Sequence, residues 1–172
     1  MDKAESRGRN AQYNTPWGLS DTVWDLLPGV QWINTPSHGG LRISREYARQ
    51  HFSPECLKSL WHGEQQGAFI FFEEDCDWCL AVFESPEIGD AMVESGLSEG
   101  DIHGDALRAL VNWQLDYCLS KTIPISEEAI RRHIEIMQRE RDYLSFIENL
   151  QQNGYNVPEV KPWYMLLKER SQ

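Results

Sequence analysis

Residues 68–83 constrain the fold more than any other stretch. Ala68-Phe69-Ile70-Phe71-Phe72 is an apolar run of strand length, Trp78-Cys79-Leu80-Ala81-Val82-Phe83 is a second, and Glu73-Glu74-Asp75-Cys76-Asp77 separates them. Aromatic and β-branched side chains favour strands. So many consecutive apolar residues do not suit a one-sided edge, and the two runs are expected to pair as a central hairpin buried on at least one face. A sheet of that kind needs covering layers, which the rest of the 172-residue chain must supply.

The flanking signals complete an α+β reading. Residues 1–13 are polar and aperiodic and read as a flexible arm, leaving 14–172 as a single α+β domain. Ser20 is expected to N-cap a helix over Asp21 to Leu27 that Pro28-Gly29 ends. Val30 to Asn34 and Leu41 to Ile43 suit two strands of a hairpin, with Gly39-Gly40 supplying the positive φ of its turn. Ser44 caps a helix over Arg45 to His51, Ser53-Pro54 opens one through Trp61, and Ser85-Pro86 opens one to Ser95 that Gly96 terminates. Leu107, Leu110, Val111, Leu115 and Cys118 recur at helical spacing from Ala106 to Ser120. Ser126 caps the longest helix, Glu127 to Gln152, with one stripe at Ile130, Ile134, Met137, Leu144 and Ile147. Its second row, Ile136, Tyr143, Phe146 and Leu150, demands a second cover. Either Ala106 to Ser120 and the terminal Trp163 to Leu167 segment supply it, or a homodimer through the 127–152 helix does. The fold class is therefore α+β: a small antiparallel sheet from N-terminal hairpins with a helical C-terminal half packed on it.

Charge narrows the partners. No run approaches about 20 apolar residues and the N-terminus has no apolar core, so neither a membrane span nor a secretory signal is expected, which places the chain in the cytosol. A chain this long folds without disulfides or metal, so its four cysteines are optional. The net charge of −11 opposes direct binding to nucleic acid. That excess is concentrated. From Trp61 to Asp105 there are twelve acidic residues and no Lys or Arg: Glu64, Glu73, Glu74, Asp75, Asp77, Glu84, Glu87, Asp90, Glu94, Glu99, Asp101 and Asp105. The flanking segments are close to neutral. Such a run is either a solvated face that aids solubility or a docking surface for a basic partner.

The motifs that could carry chemistry are sparse. Cys76-Asp77-Trp78-Cys79 is a C-x-x-C, yet the second cysteine enters an apolar strand in this reading, among carboxylates that raise a thiol pKa. Zinc would need a second pair, and Cys56 and Cys118 stand alone, with His51 and His62 the nearest histidines. No metal and no cofactor are expected. Ser37-His38-Gly39-Gly40 could be an oxyanion loop, but no G-x-S-x-G is present, and the phosphate-binding glycine patterns are absent. One catalytic arrangement stays open: Cys76 as nucleophile, His38 as base, and Asp75 or Asp77 orienting the imidazole. Seven tryptophans could stack on single-stranded nucleic acid, but the charges around Trp61 and Trp78 are acidic. The arginines near Arg131 alternate with acidic residues, which suits intrahelical pairing.

Taken together, Trp17-Gly18-x-Ser20, Pro28-Gly29-Val30-x-Trp32, Thr35-x-Ser37-His38-Gly39-Gly40 and Glu74-Asp75-Cys76-Asp77-Trp78 resemble a signature of small, functionally uncharacterised proteins and domains of bacteria, their phages and plasmids. The resemblance covers Trp17 to about Phe83, leaves the C-terminal helices outside it, and brings no reaction and no catalytic residue. What it implies is a mobile-element setting, where small acidic accessory proteins block host defence by offering carboxylates in place of DNA phosphates. The leading expectation is a non-enzymatic acidic interaction protein that docks on a basic, nucleic-acid-binding complex, such as a CRISPR or restriction assembly, through Glu64, Glu73, Glu74, Asp75, Asp77, Glu84, Glu87, Asp90 and Glu94. The alternative is a cysteine-dependent hydrolase or transferase using His38 and Cys76.

Overall fold

A computed structural model describes residues 8–60, 65–137 and 143–155, and the side chains of 65–66, 133–137 and 143–147 stand outside that description. These residues fall into two compact units, Met1–Leu110 and Val111–Gln172. The fold is α+β, with the strands in the N-terminal part and helices in the C-terminal half.

The first unit opens with β1 (Arg9–Asn10) and a small hairpin of β2 (Asn14–Thr15) and β3 (Gly18–Leu19) around Pro16-Trp17. Then follow β4 (Thr22–Leu27), β5 (Val30–Asn34), β6 (Gly39–Ser44), α1 (Arg45–His51), α2 (Pro54–Lys58), β7 (Gln65–Gln66) and β8 (Phe69–Glu73). The order β1-β4-β5-β6-β8-β7 makes one antiparallel six-stranded sheet. Paired residues share a face. Val30, Ile43 and Ile70 lie on one face with Leu41 and Phe72, all buried, and Phe72 meets Phe52 from the end of α1 edge-on at 5.3 Å. Ile33, Gly40, Phe71 and Glu73 lie on the other, where Trp17 of the small hairpin packs edge-on against Phe71 at 5.8 Å. The N-terminal segment is tied down as far back as Arg9, which pairs with Asp25, while Ser20 Oγ accepts the Tyr13 N–H and donates to the Ala11 carbonyl.

Three expectations are overturned here. Asp21 to Leu27 is not a helix: Thr22–Leu27 is β4, inserted between β1 and β5, with Val23 buried near its start and Asp25 exposed further along the same face. Apolar positions at 23, 24 and 27 span too little chain to separate the helical period from the strand period. Pro28-Gly29 turns a hairpin, with Gly29 at φ 85°, rather than stopping a helix. Likewise Trp78 to Phe83 is no strand but α3 (Trp78–Glu84), burying Cys79, Leu80, Ala81 and Val82 in succession. Both edges of β8 are taken, by β6 and β7, so the sheet offers the second apolar run no partner. It coils instead, and its backbone groups bond within the helix. Gly39 and Gly40 also differ from their expected place, since they belong to β6 and not to the turn. A side chain at Gly40 would collide with the Phe72 carbonyl and the Trp17 ring, so close packing explains it.

The Ser44 and Ser53 caps hold, whereas Ser20 precedes a strand and Ser85 makes no side-chain cap hydrogen bond. Ser44 Oγ accepts the Tyr47 N–H at the start of α1, and Ser53 Oγ accepts the Cys56 N–H at the start of α2, which ends at Lys58 rather than Trp61. Pro86 opens α4 (Pro86–Glu94), closed by Ser95 and Gly96 at φ 75°. The expected helix from Ala106 to Ser120 divides into α5 (Ile102–Trp113) and α6 (Leu115–Ser120). It starts earlier because Asp101 Oδ1 caps the Gly104 N–H, and it breaks where buried Gln114 leaves the helical region at φ −120° and ψ 47°.

In the second unit, Ser126 Oγ accepts the Ala129 N–H at the start of α7 (Glu127–Met137), and α8 (Tyr143–Gln152) ends before Gly154 at φ 78°. Both ends of the expected long helix are thus helical, while 138–142 and the 162–172 tail lie outside the described residues. Of the second apolar row only Leu150 is described in its side chain, and it is fully buried. Among the described residues no helix is long and apolar enough to cross a membrane.

Candidate functional site

Two motifs distant in sequence become neighbours through one strand pairing. Gly40 of β6 stands opposite Glu73 of β8, and the Glu74 N–H donates to the Gly39 carbonyl at 3.1 Å. The pairing lays Ser37-His38-Gly39-Gly40 beside Glu73-Glu74-Asp75-Cys76-Asp77. His38 is held by a clasp: the Thr35 N–H and hydroxyl donate to its carbonyl at 2.7 and 2.9 Å, and its own N–H donates to Thr35 Oγ1 at 3.1 Å. The two sequences are therefore fixed relative to each other by backbone hydrogen bonds.

Glu73 is the hinge of this junction and only 7% exposed. Its Oε2 accepts the N–H groups of Asp75 (2.7 Å) and Cys76 (3.1 Å) and the Cys76 thiol (3.4 Å), and its carbonyl accepts the Asp77 N–H (3.1 Å). One side chain thus closes the turn that carries the chain from β8 into α3. Its other oxygen, Oε1, makes no hydrogen bond among the described residues and faces His38 Nδ1 at 3.7 Å. Glu74 reaches the same place because Gly39 has no side chain, since a Cβ there would stand 2.6 Å from Glu74 Oε2. His38, Glu73 and Glu74 each bring one donor atom within 4.8 Å of the others.

The C-x-x-C lies on this turn, with both thiols buried and neither in a disulfide. Burial, followed by the charges of Asp77 and Glu73, pushes the Cys76 thiol far above its ordinary range. A cysteine before a helix is usually activated. Here two buried carboxylates outweigh the seven-residue helix. Cys79 Sγ donates to the Cys76 carbonyl at 3.3 Å. At neutral pH Cys76 is a protonated thiol hydrogen-bonded to a carboxylate, whereas a nucleophile needs a base at its sulfur.

The nine carboxylates expected to face a partner divide by environment. Glu64 lies outside the described residues. Glu73 and Asp77 are buried, Asp77 completely, and Glu74 is half-buried. Glu84 accepts both the N–H and the hydroxyl of Ser53. Asp75, Glu87, Asp90 and Glu94 are exposed. The last three recur at i, i+3 and i+7 on α4, forming one acidic face opposite the buried Ile88, Ala91 and Met92. Val93, 40% exposed, borders that face with apolar surface.

A cluster that sequence reasoning missed anchors this helix. Ser85 Oγ donates to Glu87 Oε1 (2.6 Å) and lies 2.7 Å from the Tyr47 hydroxyl, which reaches Glu87 at 3.0 Å. His51 Nδ1 stands 3.2 Å from the same carboxylate and stacks on Tyr47 at 4.0 Å. Burial pushes the Tyr47 hydroxyl up to about 12, while the Ser85 hydrogen bond, ahead of the others, holds Glu87 below the usual carboxylate range. The cluster locks α1 to α4. Its only trace in the sequence is Ser85-Pro86, which reads as a cap. At the opposite end of β5 from His38, a cavity of about 470 Å³ is lined by Asp25, Leu27, Pro28, Gln31, Arg42 and Phe69. Its guanidinium is already engaged, bonding Gln31 and lying 3.3 Å over the Phe69 ring.

These features define an α+β domain whose β5–β6 and β8–α3 connections meet at one end of an antiparallel sheet. The chain belongs to a family described as a domain of unknown function (DUF7007), whose model matches residues 10–137. That match holds all the motifs between Trp17 and Trp78 and runs beyond Phe83 to the end of α7, so α4 and its acidic face lie inside the family domain. No curated protein and no solved structure matches the chain.

Proposed function

We propose that the protein is a non-enzymatic interaction protein, carried on a mobile element, that acts in the bacterial cytosol by presenting carboxylates to a nucleic-acid-binding defence complex such as a CRISPR or restriction assembly. The observation that carries this reading is the concentrated charge: twelve acidic residues and no Lys or Arg between Trp61 and Asp105. The contact face is Glu87, Asp90 and Glu94 of α4 with Asp75, because these carboxylates are exposed, whereas Glu73 and Asp77 are interior and hold the fold. Complementary charge raises the association rate and selects a basic surface, while exposed Val93 and Phe83 supply apolar contact. The cysteine-enzyme alternative draws no support from a thiol whose pKa is raised.

The test is competition with DNA. Wild-type protein added to a purified defence complex lowers its DNA binding, and Asp90→Lys with Glu94→Lys removes the effect without lowering the melting temperature. Inhibition that survives this double reversal at moderate salt overturns the reading.

A further inference from the structure

We infer that His38, Glu73 and Glu74 form a binding site for a divalent first-row transition ion of the Mn²⁺-to-Zn²⁺ class. Two ligands about 2.1 Å from one ion lie roughly 3 to 4.2 Å apart, depending on the angle between them. His38 Nδ1 and Glu73 Oε1 are 3.7 Å apart, too far for a hydrogen bond but within that span. One donor atom from each of His38, Glu73 and Glu74 falls within 4.8 Å of the others, so a small side-chain adjustment closes a three-donor set.

The site is built rather than a chance meeting of surface acids. Glu73 is more than nine-tenths buried, with Oε2 committed to two backbone N–H groups and the Cys76 thiol, so the carboxylate cannot swing away. Oε1 is left without a hydrogen bond among the described residues and is aimed at the imidazole. A carboxylate oxygen with no donor of its own is available to a cation. Among the described residues no Lys or Arg ion-pairs with Glu73 or Glu74. Imidazole with two carboxylates is a mixed nitrogen and oxygen set that suits these ions, while the half-exposed His38 leaves one side open to water. The Thr35 clasp and the glycine at 39 fix the positions of His38 and Glu74. This inference stands apart from the docking reading, since neither needs the other.

The probe is Mn²⁺ alone, added to the full chain after chelator treatment and followed by electron paramagnetic resonance. Expected is one saturable site with a nitrogen-coupled pulsed signal. His38→Ala removes the nitrogen coupling, and His38→Ala and Glu74→Gln each weaken binding at least about tenfold. Both residues lie at the solvent side of the junction, so both variants keep the melting temperature of the metal-free protein. Asp90→Lys with Glu94→Lys leaves the site unchanged, separating it from weak binding to the acidic face. Absence of a saturable site, wild-type affinity in both single variants, or nitrogen coupling that persists in His38→Ala overturns the inference.

Discussion

Replacing Glu73 by alanine separates the carboxylates that build the fold from those that face solvent. The side chain is 7% exposed, and its Oε2 is the acceptor for the Asp75 and Cys76 N–H groups. Alanine leaves both donors without their acceptor inside a turn, at about 1–3 kcal/mol each, or about 2–6 kcal/mol together. In a chain of this length each kcal/mol moves the midpoint by roughly 2–4 °C, so a fall of at least about 4 °C is expected. Circular dichroism melting in chelator measures it with no metal contribution. Glu73→Gln keeps an acceptor oxygen and recovers most of the loss. Asp75→Ala, at an exposed position, stays within about 0.5 kcal/mol of wild type. A Glu73→Ala protein melting within about 1 °C of wild type would refute the turn-closing role. The same reasoning makes charge reversal at Glu73 or Asp77 a poor test of docking, because both side chains are interior.

Three further outcomes follow from the geometry. Because burial and neighbouring carboxylates raise the Cys76 thiol, iodoacetamide at pH 8 labels it far more slowly in the native protein than in urea, and labelling at the free-thiol rate would contradict this. Gly40→Ala drives a Cβ into the Phe72 carbonyl and the Trp17 ring, costing roughly 1–3 kcal/mol in urea titration, and an unchanged midpoint would show that the hairpin does not pack there. Glu87 has a folded-state pKa below its unfolded value, so the stability it adds as a carboxylate is present above the ordinary carboxylate range and lost as pH falls through the lowered one. The melting difference between wild type and Glu87→Gln is therefore expected at pH 7 and shrinks as pH falls below the ordinary carboxylate range, and a gap that widens on acidification would reverse the assignment.

Local chemistry was readable where a residue acts on its immediate neighbours. Ser44, Ser53, Ser85-Pro86 and Ser126 marked helix starts because a hydroxyl or a proline ring acts within three residues, and the β5–β6 hairpin followed from two short runs either side of a turn. What failed depended on partners far along the chain. Thr22–Leu27 is a strand because β1 and β5 flank it, and Trp78–Glu84 is a helix because β6 and β7 occupy both edges of β8. The same mispairing hid the junction. The catalytic alternative joins His38 to Cys76 and its flanking aspartates, but a hairpin of Phe69–Phe72 with the residues that follow leaves no place for the β6–β8 pairing that sets Glu73 against His38. Counting charge could not separate Glu73 and Asp77 from Asp90 and Glu94, because burial is a property of the packed chain.

The most direct measurement of the docking function is DNA binding by a panel of purified restriction and CRISPR complexes, with and without the protein, across a salt series. At least one complex is expected to lose DNA binding to the wild-type chain, increasingly so at lower salt, and to regain it when Asp90→Lys and Glu94→Lys are introduced together. A panel in which no complex is affected, or in which the doubly reversed protein inhibits as well as wild type, would contradict it.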